Sequence, residues 1–140
     1  MPSKYDKNFS ESSDMRYLYE YAVIQFVPSI ERDECVNVGL VMMCKRLGKV
    51  WMRFYLDLQR LGVMFPDADI EALGRQLTGF ERVAKGDVSS GGPIASLEPH
   101  ERFRWLTAVR SASLRTPRPH GGLSSTPDAT FEKLFESLVL

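Results

Sequence analysis

Between Tyr17 and Leu56 three apolar, β-branched and aromatic runs are joined by short links, and this restricts the fold more than any other feature. Parallel neighbours need a crossover of about a dozen residues or more, so runs this close in sequence form an antiparallel meander. The first run, Tyr17 to Pro28, ends at a proline that cannot donate to a ladder. The second, Val36 to Cys44, is rich in Val, Leu and Met, and KRLGK then turns the chain into the third, Val50 to Leu56. In the third run Val50, Met52, Phe54 and Leu56 share one face, while Trp51, Arg53, Tyr55 and Asp57 share the other.

Downstream the apolar spacing changes to that of helices. Ile70, Leu73, Leu77 and Phe80, then Val83 and Ala84, follow Asp67, Asp69 and Glu71, acids that suit the positive end of a helix dipole. Lys85 to Pro93 reads as a loop, and Glu98-Pro99 as the cap and first residue of a shorter helix carrying Phe103 and Leu106. SASLRT suggests a short edge strand and PRPHGG a turn-rich loop. Thr126, Pro127 and Asp128 open the clearest helix, whose Phe131, Leu134, Phe135, Leu138 and Val139 make one apolar stripe. The expected architecture is α+β: an antiparallel sheet, made of a three-stranded N-terminal meander plus a C-terminal edge strand, with two to three helices packed on one face.

A chain of 140 residues can bury roughly two-thirds of its unfolded surface around one core. Residues 1–14 are polar and read as a flexible N-terminal tail, leaving 15–140 as a single domain. Lys plus Arg balance Asp plus Glu at 18 each, so global charge points to neither nucleic acid nor membrane. No secretory pattern opens the sequence and no run reaches the roughly 20 apolar residues of a membrane span, which makes the cytoplasm the expected compartment. If Cys35 and Cys44 share one strand, their Cα atoms lie on the order of 30 Å apart, too far for a disulfide.

Candidate chemistry falls in three places. The charged connection before the second run presents Arg32 and Glu34 beside Asn37 and Gly39, a glycine that lets a ligand or another backbone approach; the structural alternative is a solvated hairpin loop followed by a glycine bulge. The C-terminal third concentrates Arg102, Arg104, Arg110, Arg115 and Arg118 with His100 and His120, a set suited to phosphate or carboxylate with Trp105 as a stacking plane; the structural alternative is arginines facing solvent and Trp105 in the core. Gly121-Gly122 after His120 can form an anion-binding nest. Cys and His are too few and too far apart for a zinc site, no cofactor motif occurs, and a helix start already explains Asp67, Asp69 and Glu71.

YAVIQFVPSIERDECVNVGLVM resembles the opening signature of a bacterial domain-of-unknown-function family, number 3037, and RFRWLTAVRSASLRTPRPHGG with the Leu134-Phe135 helix is similar to its second half. The resemblance runs from Tyr17 onward. It implies a small, stand-alone, cytoplasmic bacterial protein without an assigned activity, and a partnership with kinases resembling the persistence-toxin type. Carried over by motif, the positions to watch are Glu34, Asn37, Gly39, Arg53, Trp105, Arg110, Ser111, His120 and Gly122. Two functions are expected to compete. One is a protein-interaction or regulatory module with a kinase-like partner. The other is a small enzyme or anion- or nucleotide-binding domain in which Arg53, Arg110 and His120 meet Glu34 and Asn37 in one cleft.

Overall fold

The three N-terminal runs form β1 (Tyr17–Ser29), β2 (Glu34–Cys44) and β3 (Lys49–Phe54), paired in sequence as the expected antiparallel meander. A computed structural model of the protein describes residues 15–29, 31–32, 34–108 and 113–140. The expected tail, 1–14, and the candidates Arg110 and Ser111 lie outside the described residues.

β1 organises the sheet. One of its edges pairs with β2, and the other is shared: Gln25 and Phe26 pair with β4 (Leu114–Arg115), Tyr17 to Tyr21 with β5 (His120–Ser124). Every pair is antiparallel, giving a five-stranded sheet among the described residues. The edge strand expected from SASLRT is β4. The loop expected from PRPHGG is corrected, because His120, Gly121 and Gly122 are extended and laddered to Tyr21, Glu20 and Tyr19. Local sequence cannot show that strand, since long-range pairing is what holds its glycines extended.

The helices are α1 (Leu58–Met64), α2 (Ile70–Lys85), the single turn α3 (Val88–Gly91), α4 (Pro99–Ala108) and α5 (Pro127–Leu138), with a 3-10 turn at Pro93–Ser96 before α4. Asp69 caps α2 by accepting from the Ala72 N–H at 3.0 Å. Asp57 does the same for α1, which the sequence reading left out, accepting from the Arg60 N–H at 3.1 Å.

Alternation along the strands separates two cores. Ala22, Ile24, Phe26, Val41 and Met43 pack beneath Leu61 of α1, Leu73 and Leu77 of α2, and Phe103 and Leu106 of α4. On the opposite face Leu40 and Met42 pack against Phe131, Phe135 and Val139. Helices therefore cover both faces, and the expectation of one covered face is corrected. The physical reason lies in β2, where Leu40 to Cys44 are all buried: a continuous apolar run marks a strand roofed on both sides. Each such large side chain, once fully buried, contributes roughly 1.5–3 kcal/mol.

One irregularity sets the geometry of the second face. Ile24 pairs with Gly39 and Gln25 with Asn37, so Val38 is an extra residue in β2. This bulge inverts the alternation beyond it and turns Asn37 toward α5 rather than toward α2.

Candidate functional site

Among the described residues, the face of the sheet beneath α5 carries a dense set of long-range polar contacts, and it is built from β3 upward. Lys49, Trp51 and Arg53 alternate onto this face. Lys49 Nζ lies 2.7 Å from Asp128 Oδ1, and the Trp51 indole N–H donates to the same oxygen at 2.8 Å. One step along, both terminal nitrogens of the Arg53 guanidinium donate to Glu132, at 2.6 and 2.7 Å. The guanidinium also lies over two rings, 5.4 Å from the Phe131 centroid and 5.2 Å from that of Phe135. The spacings match: two residues of strand advance about 6.6 Å and four of helix about 6.0 Å, so Trp51 and Arg53 meet Asp128 and Glu132 in step.

These contacts set the local ionisation. The Arg53 hydrogen bond holds the Glu132 carboxyl below its usual range and raises Arg53 in turn. Asp128 is lowered by the Lys49 ammonium first and the Trp51 N–H second.

The other end of α5 is held by Asn37. Its side-chain amide donates to the Leu138 carbonyl at 3.0 Å, while its oxygen accepts from Gln25 Nε2 at 3.1 Å. Gln25 accepts in turn from Arg115 Nε at 3.0 Å, and Arg115 Nη2 lies 3.6 Å from the exposed Cys35 sulfur. A polar chain therefore runs from β4 across β1 and β2 to the carbonyl end of α5. Gly39 is buried beside it. A Cβ there would sit 3.3 Å from both the Arg53 carbonyl oxygen and Ile24 Cδ1, so the close approach is by backbone and core rather than by a ligand. Gly122 is its counterpart on β5: the Tyr19 ring lies across it, with the hydroxyl 2.5 Å from where a Cβ would be.

The structure thus gathers Asn37 and Arg53 around α5, while Gly39, one bulge away, faces Ile24 in the opposite core. Arg32, in the connection before β2, and Glu34, the first residue of β2, are exposed and paired with each other at 2.9 Å. His120 is exposed on β5, its ring 5.6 Å from that of Tyr21. Register places His120 beside Tyr21, Tyr21 beside Met42, and Met42 beside Trp51, so three strand spacings, about 14 Å, separate His120 from β3. Trp105 belongs to the opposite core, edge-on to Phe80. The arginines of the C-terminal third are likewise divided: Arg102 donates to the Leu97 and Ala84 carbonyls, and Arg115 is engaged by Gln25. The residues the sequence reading missed are Gln25, Asp128 and Glu132. The acids had a legible signal in their four-residue spacing opposite a strand bearing Lys49 and Arg53.

Among the described residues no group of three or more His, Cys, Asp or Glu side chains converges as a metal site, and no helix is long and apolar enough to cross a membrane. The class so defined is an α+β domain in which an antiparallel sheet is roofed on both faces and one roof helix is clasped by polar side chains. Within that class, the chain belongs to the family described as Protein of unknown function (DUF3037), whose model matches residues 21–139, nearly the whole length. No curated protein and no solved structure matches it.

Proposed function

We propose that this protein is an interaction module that captures an extended segment of a partner protein along β5. One observation carries the reading. Leu18 and Leu123 are register partners on adjacent strands, and they are 64% and 60% exposed. They lie on the same sheet face as Ala22, Ile24 and Phe26, but beyond the roof that α1, α2 and α4 place over those residues. A cross-strand apolar pair left in water invites a covering surface.

The edge beside it is suited to supply one. Among the described residues β5 pairs only with β1, and its sequence, HGGLS, contains none of the lysines or prolines that commonly guard an edge. An added strand would take its main-chain hydrogen bonds from β5 and set alternate apolar side chains beside Leu123. The occupant is therefore an extended peptide segment with apolar residues at every second position. A kinase-like protein, which the family resemblance implies, is the first partner to try.

Affinity purification from the native host at endogenous expression, followed by mass spectrometry, tests this with wild type and Leu123→Lys side by side. The expected result is one stoichiometric protein retained by wild type and lost by the variant, with unchanged circular dichroism. Recovery of the chain alone, or equal retention by both forms, overturns the reading.

A further inference from the structure

On the α2 and α4 side of the molecule, away from β5, the surface falls into a concavity of about 350 Å³. That volume suits a small organic ligand. Its floor is apolar: Phe80 and Leu114 are buried, and Trp105, half-buried, meets Phe80 edge to face with centroids 6.2 Å apart. Its rim is polar and asymmetric. Arg75 stands on one side, exposed, and among the described residues it enters no ion pair, although Glu71 lies one helical turn before it. Ser90 is on the rim too, but its hydroxyl donates to Asp87 Oδ2 at 2.6 Å, as that of Ser89 does to Oδ1 at 2.7 Å.

We propose that this concavity binds a small planar aromatic carboxylate, its ring on Phe80, Trp105 and Leu114 and its carboxylate on the Arg75 guanidinium beside the Gln76 amide. Each part follows from chemistry. Aromatic and aliphatic walls reward a flat apolar body. A guanidinium without a protein carboxylate can donate two parallel hydrogen bonds to a ligand's carboxylate. The ionised Asp87 beyond Ser90 repels an anion from that rim and so fixes the ring-to-Arg75 orientation. Among the described residues Arg75 is the one arginine on this rim, and it compensates less negative charge than a polyphosphate brings.

The test is a titration of the isotope-labelled full chain, followed by amide and side-chain N–H resonances, with indole-3-carboxylate and its uncharged analogue indole-3-carboxamide. The carboxylate is expected to shift the Trp105 indole N–H and the Arg75 Nε–H, and to bind about tenfold more tightly than the amide, the size of one charge-assisted contact. Arg75→Gln, a change at an exposed position, is expected to abolish that preference while leaving resonances far from the concavity in place. No shift from either compound at millimolar concentration, equal affinity for the two, or a preference that survives Arg75→Gln overturns the proposal. Leu123→Lys is expected to leave this binding unchanged, which separates its failure from that of the β5 docking edge.

Discussion

Asn37 shows how one side chain can join three elements. It donates to the last turn of α5 and accepts from β1, and its place on that face depends on the bulge at Val38. Asn37→Ala leaves the Leu138 carbonyl and the Gln25 amide without these partners and is expected to cost about 1–3 kcal/mol in urea unfolding. Asn37→Asp is expected to cost more at neutral pH, because it sets a carboxylate against a carbonyl oxygen at the negative end of a helix dipole. Stabilities equal to wild type would show that the amide carries no weight. The sequence marked Asn37 and Gly39 as unusual without showing why. Simple alternation puts both on one face, and only the inserted residue separates them. Gly122 is similar: its motif was visible, but Tyr19, the ring that requires the glycine, lies about a hundred residues away.

At the scale of elements, α5 is the piece whose attachment responds to pH. Glu132 and Asp128 both have folded-state pKa values below the usual carboxylate range. The unfolded chain therefore takes up protons first as pH falls, so the stability from these contacts is present above the ordinary carboxylate pKa of about 4 and is lost as pH drops through the lower folded values. Melting temperature is expected to hold from neutral pH to about 5 and to fall below about 4, less steeply in Glu132→Gln than in wild type. Superimposable profiles would remove Arg53–Glu132 as a contributor. Much at this scale was legible: β1 to β3 from apolar runs, α2 and α5 from their stripes, and the starts of both helices from Asp69 and Pro127. What was not legible has definite causes. A seven-residue α1 is too short to show a period, and an amphipathic stripe on α5 says that it needs a sheet without saying which side.

For the whole molecule, two cores share the strands β1 and β2, so neither should come apart alone. Each has its own optical reporter, Trp105 on the α2 and α4 side and Trp51 under α5. Phe131→Ala is expected to cost about 3–5 kcal/mol. Its unfolding, followed through single-tryptophan variants, is expected to give coincident midpoints for both reporters. A Trp51 transition preceding that of Trp105 would mean instead that the α5 layer is a separate cooperative unit.

Because the chain is synthesised from one end, the split far edge of β1 also dictates an order of events. The meander is complete at Phe54, yet the strand that closes its edge and the helix that roofs its second face come only with residues 120 to 138. At translation rates of roughly 5–20 residues per second, the nascent sheet waits on the order of ten seconds with an unsealed margin. The far edge of β1 and the second face of the sheet thus stay uncovered until the last strand and the last helix have been made.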